Sequence, residues 1–66
     1  MKIREIKELT DTEIRERIEV EKESLVRLRL NHAISPLDNP ALIKEARRSI
    51  ARLATELRQR EINNLN

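Results

Sequence analysis

LDNPALIKEARRSIARL, Leu37 to Leu53, decides the fold, because it contains a helix start, a helix stripe and a charge pattern at once. Asn39 is a preferred helix cap, and Pro40 suits the first helical position, where a missing N–H costs nothing. From there apolar residues recur at Ile43, Ala46, Ile50, Leu53 and Leu57, alternately three and four apart. That spacing predicts one buried stripe on an α-helix running from about residue 40 to 62, with 63–66 as a frayed tail. The residues left over are largely basic: Lys44, Arg47, Arg48 and Arg52.

Upstream of the quoted stretch, Pro36 disfavours helical geometry at the residue before it, so a preceding helix should stop near Ile34. Its start is read from LTDTEI. Thr10 and Glu13 have capping-box spacing, Leu9 and Ile14 sit at the staple positions, and Asp11 complements the positive helix end. Between those limits Ile14, Ile18, Leu25 and Leu28 form a stripe, with Glu21 and His32 at the intervening seam positions. Val20, Val26, Leu30 and Ile34 widen it, so the late part of this helix is expected to be covered on two sides. Two helices of about 11–34 and 40–62 joined by a turn at 35–39 predict an antiparallel hairpin. In MKIREIKEL, Ile3, Ile6 and Leu9 are three apart, which suits a short helical turn folding back onto the long helices. The expected fold is therefore all-α: a two-helix antiparallel hairpin with a short N-terminal helical turn, a single domain over residues 1–66.

Totals agree with a thin structure. The chain has 66 residues, with no aromatic residue and no glycine. The side chains that bury most area are missing, so a thick core is excluded and a partner is expected to supply part of the stability. Absence of cysteine removes disulfides and thiolate metal sites. No apolar run approaches the roughly 20 residues of a membrane span. The charged start lacks the apolar stretch of a signal peptide. These features fit a soluble cytoplasmic protein. Residues 1–26 carry six basic and eight acidic side chains, and residues 27–66 carry eight and four. An anionic partner belongs with the second part.

Most catalytic chemistry is excluded. Without glycine there is no phosphate-cradling loop and no dinucleotide fingerprint. His32 stands alone, so its ordinary role is a half-buried seam residue, not a metal ligand. Glu13, Glu16, Glu19, Glu21 and Glu23 alternate with Arg15, Arg17 and Lys22 as a solvated face with local ion pairs, and two bare helices offer no walled cleft for acid–base work. No enzyme activity, cofactor, metal or small-molecule substrate is expected.

Lys44, Arg48 and Arg52 are four apart on the second helix, with Arg47 beside them. In an antiparallel hairpin Arg27 and Arg29 of the first helix come near the start of the second. Arginine's planar fork suits phosphate, while the lack of aromatic side chains argues against base stacking. The six residues are therefore candidates for backbone and shape recognition of folded RNA.

The chain resembles the bacterial large-subunit ribosomal protein twenty-nine family over essentially its whole length. LTDTEI, LVRLRLNHA and LDNPALIKEARRSIARLATELRQRE carry the resemblance. Its most specific block contains Asn39, Pro40, Ile43, Lys44, Arg47, Arg48, Ile50, Ala51 and Arg52 at the family's spacing. The resemblance implies a helical hairpin bound to the 5′ domain of large-subunit rRNA at the rim of the polypeptide exit tunnel. It also implies ribosomal protein twenty-three as a neighbour, with nascent-chain factors docking close by. Ser35-Pro36 stands where the family commonly has Gly-Gln, and Leu42 replaces a residue that is often basic. A rival expectation is a helical hairpin that dimerises into a four-helix bundle. A membrane-surface helix is disfavoured by the lack of aromatic anchors.

Overall fold

A computed structural model describes residues 2–34 and 40–64. Three helices follow in order: α1 (Ile3–Lys7), α2 (Asp11–Ile34) and α3 (Ala41–Asn64). The two long helices pack against each other, and α1 packs against α3. The result is a rod 48 Å long and 18 by 15 Å across.

The start of α2 uses the devices read from LTDTEI. The Thr10 backbone N–H donates to Glu13 Oε1 at 3.0 Å, and the Glu13 N–H donates to Thr10 Oγ1 at 3.2 Å. These reciprocal bonds satisfy donors that a helix end otherwise leaves open. Leu9 packs onto the cluster that contains Ile14, as a hydrophobic staple requires. The expected N-terminal helical turn is also present. The Lys2 N–H reaches Glu5 Oε2 at 3.4 Å, and the Leu9 N–H closes the turn on the Ile6 carbonyl at 3.1 Å.

The expected stripes form the seam. Ile14, Ala46 and Leu53 are buried, while Ile18, Glu21, Leu25, Leu28, His32, Ile43, Ile50 and Leu57 are half-buried. Ser49 is buried beside them. Among the described residues, fully enclosed packing is confined to one end: Ile6, Ile14 and Leu53 form the core, with Leu9, Ile18 and Leu57 against it. This is where three helices meet. Toward the turn only two are present, and two cylinders cannot enclose a side chain on all sides.

Three expectations need amendment, and others fall on residues not described. The α3 helix starts one residue later than expected, with the Pro40 carbonyl accepting from the Ile43 and Lys44 N–H groups at 3.2 and 3.4 Å. It also runs to Asn64, so Asn63 and Asn64 extend the helix instead of belonging to a frayed tail, since no glycine or proline interrupts the chain there. Val20, Val26, Leu30 and Ile34 are exposed, the last at 83%, so the second covering expected for late α2 is not supplied by the described residues. They lie round the helix from the seam, where neither α1 nor α3 packs. Finally, the Asn39 cap, the Ser35-Pro36 turn and the last two residues of the expected tail lie outside the described residues.

Candidate nucleic-acid interface

Antiparallel packing is fixed by an ion pair at the closed end. Arg60 Nη1 donates to Asp11 Oδ1 at 2.8 Å, so the end of α3 lies beside the start of α2. Arg60 Nε donates to Glu56 Oε1 at 3.1 Å and Nη2 donates to the Lys7 carbonyl at 3.1 Å. One guanidinium thus ties all three helices. Its fork, with donors on three nitrogens in one plane, permits this, and an ammonium would not hold the same geometry. Bonding to Asp11 first, then to Glu56, raises the proton affinity of Arg60. The sequence reading missed this residue. The available signal was position: Arg60 falls three beyond Leu57, at the next seam site, where a charged residue needs partners.

With that register, Arg27 and Arg29 come level with Lys44 and Leu42 at the turn end. Lys44, Arg47 and Arg48 are exposed on the first turns of α3, and Arg27 and Arg29 are exposed on α2. Arg27 is 3.9 Å from Glu23, a loose and exposed pair. Lys44 and Arg48 point from the back of α3, away from the seam, as their phase of about 100° per residue dictates. Arg52 is a turn further along and lies elsewhere. It borders an open groove of about 310 Å³ between α1 and α3, beside Ile3, Ile6 and Thr55. It also shares a shallow depression with Glu45, Arg48 and Ser49. The structure therefore brings five of the six expected residues to the turn half of the rod and leaves Arg52 at the margin of α1.

Nothing in the described residues resembles a catalytic centre. The Glu13 carboxyl is held below the ordinary glutamate range, first by the Thr10 backbone N–H and then by the Thr10 hydroxyl, which is a capping effect. His32 sits half-buried in the seam with Nδ1 lacking a hydrogen-bond partner. Among the described residues there is no group of His, Cys, Asp or Glu that could hold a metal, and no helix long and apolar enough to cross a membrane. Exposed guanidinium groups on rigid helices are suited to holding phosphate.

Residues 4–60 match the family described as "Ribosomal L29 protein". The "Large ribosomal subunit protein uL29" of Bacteroides thetaiotaomicron is 58% identical over 64 residues, covering 97% of this chain and 98% of that one. The protein of the same name from Bacteroides fragilis is 56% identical over the same span, 97% of this chain and 98% of its own. That from Desulforudis audaxviator is 48% identical over 62 residues, 94% of this chain and 92% of its own. No solved structure matches the chain. A family match over nearly the whole hairpin, with relatives of nearly the same length, leads to one conclusion: the chain belongs to the ribosomal L29 (uL29) family.

Proposed function

We propose that this protein, a structural constituent of the large ribosomal subunit, binds rRNA through Arg27, Arg29, Lys44, Arg47, Arg48 and Arg52. Family membership makes it a ribosomal protein of the cytoplasm and not an enzyme. The observation that supports the site is the exposure of Lys44, Arg47 and Arg48 on α3 at the end where Arg27 and Arg29 arrive from α2. Without aromatic platforms, the contacts are to phosphates and sugar hydroxyls of folded RNA. Placement at the exit-tunnel rim, on the 5′ domain of the rRNA and beside ribosomal protein twenty-three, rests on the sequence resemblance, as does proximity to nascent-chain factors. Locating the chain in a density map of the ribosome tests that placement.

Binding to a large-subunit rRNA transcript over a salt series tests the site. Each lost phosphate contact lowers the slope of log affinity against log salt by about 0.7–0.9. Arg48→Ala with Arg52→Ala is expected to reduce the slope by roughly 1.5 on that basis. An unchanged affinity and slope would sink the assignment. The exposed Val26, Leu30 and Ile34 favour a second reading, a dimeric four-helix bundle. Sedimentation in high salt separates the two: a stable dimer with no affinity for rRNA supports the second.

A further inference from the structure

A second stripe runs along α2, half a turn round from the seam. Glu16, Glu19, Glu23, Val26, Leu30 and Ile34 follow one another at intervals of three or four, so they share one face for roughly 27 Å. All six are exposed. The seam with α3 takes the opposite face of α2, through Ile14, Ile18, Leu25 and Leu28, while α1 packs on α3. The outer stripe thus has the spacing of a helix-packing face, with no described helix upon it.

Its two halves differ in chemistry. Toward the turn, Val26, Leu30 and Ile34 are each more than half exposed. Toward the closed end the same stripe carries three carboxylates. Glu19 and Glu23 stand 3.9 Å from Lys22 and Arg27, beyond hydrogen-bond distance, so both keep their capacity to accept from another donor. This is the acidic part of an otherwise basic chain: residues 1–26 hold eight acidic and six basic side chains, and residues 27–66 hold four and eight.

A second copy of the chain meets this stripe poorly. Parallel pairing sets Glu16, Glu19 and Glu23 against the same three glutamates. Antiparallel pairing over the full stripe sets them against Ile34, Leu30 and Val26, burying carboxylates on apolar surface. Overlap of the apolar halves alone offers three large side chains from each copy, whereas stable interfaces use roughly 20–30 residues a side. RNA is disfavoured as well, because its phosphates would meet the carboxylates. Both halves are matched by a helix of another protein that carries Lys or Arg on one half of a face and Leu, Ile or Val on the other.

We propose that the outer stripe of α2, from Glu16 to Ile34, docks such a cationic amphipathic helix in a three-helix coiled-coil contact. Val26, Leu30 and Ile34 are the anchors, and Glu16, Glu19 and Glu23 fix register and direction. None of the six residues assigned to rRNA lies in the stripe, so the two assignments stand or fall separately.

Two synthetic amphipathic peptides of about 21 residues, three heptads, serve as probes. Both carry three leucines on one half of a stripe; the other half carries three lysines in one peptide and three glutamates in the other. Calorimetric titration of the full chain at low salt is expected to show the lysine peptide binding at least about tenfold more tightly, since three exposed charge pairs turn from repulsion to attraction. The difference should shrink in about 1 M salt. Val26→Gln with Leu30→Gln should abolish binding of both peptides. Glu16→Lys, Glu19→Lys and Glu23→Lys together should invert the preference, a result that loss of folding cannot imitate. Equal affinity for the two peptides, no binding of the lysine peptide, or a preference that does not invert overturns the proposal. A dimer in sedimentation that Val26→Gln with Leu30→Gln splits would overturn it too, giving the face to a second copy. Loss of affinity for an rRNA transcript in that variant would give the face to RNA and overturn it equally. The rRNA site is tested apart, by the salt slope of Arg48→Ala with Arg52→Ala.

Discussion

Truncating Leu53 to alanine removes one of the three large side chains that are fully buried among the described residues. Leu53 meets Ile6 of α1 and Ile14 of α2, with Leu9, Ile18 and Leu57 around them. Leu→Ala changes at enclosed sites cost about 2–5 kcal/mol, the lost transfer energy plus the cavity left behind. At roughly 0.05–0.15 kcal/mol per residue, a chain of this length has about 3–10 kcal/mol to lose. One substitution therefore takes a large share of the total. For a domain of this size each kcal/mol moves Tm by about 4–8 °C, so a fall of roughly 10–40 °C is expected. Leu30→Ala is the matched control. Its side chain is 59% exposed, and truncation there should change stability by no more than about 0.5 kcal/mol. Thermal and urea unfolding followed by far-ultraviolet circular dichroism read both. Equal shifts for the two variants, or a Leu53→Ala cost below about 1 kcal/mol, would refute a core localised where the three helices meet.

The Arg60 tie predicts that Asp11→Asn or Arg60→Lys loosens α1 while leaving the turn half of the hairpin unchanged. Amide exchange reads this: the Ile6 N–H, bonded to the Lys2 carbonyl at 3.2 Å, should exchange faster, and unchanged protection would show that apolar contact alone holds α1. The capping box predicts an acid-sensitive component of helicity. Because the Glu13 carboxyl is depressed in the folded chain, its contribution is complete above its unfolded pKa and is lost as pH falls through the folded value. Helicity should therefore drop as pH falls through and below the ordinary glutamate range, and Glu13→Gln, which keeps an acceptor but cannot ionise, should flatten that component. A profile identical to wild type would remove Glu13 from the explanation.

Features that depend on near neighbours in sequence were legible. The Thr10–Glu13 box, the Leu9 staple and both seam stripes follow from spacing within a few residues, and each is present. The basic residues were legible as types but not as surfaces. Lys44, Arg48 and Arg52 look like one stripe at four-residue spacing, yet the drift of a helix carries Arg52 round toward α1, whose docking site no local pattern states. Arg60 escaped because charge suggests solvent, while its value lies in three partners up to 53 residues away in sequence. Exposure of Val26, Leu30 and Ile34 was hidden for a different reason. Periodicity marks residues that tend to be covered, and says nothing of whether the same chain covers them.

The Arg60 tie also sets an order of events. It joins α3 to Lys7 and Asp11 across 53 and 49 residues, the longest-range hydrogen bonds described in the rod. Contacts so distant in sequence close last, after local helical turns have formed. Until synthesis passes Arg60, α1 has no guanidinium to hold it, although α2 already has its cap. The helix α1, which precedes α2 and α3 in the chain, is thus among the last to be fastened.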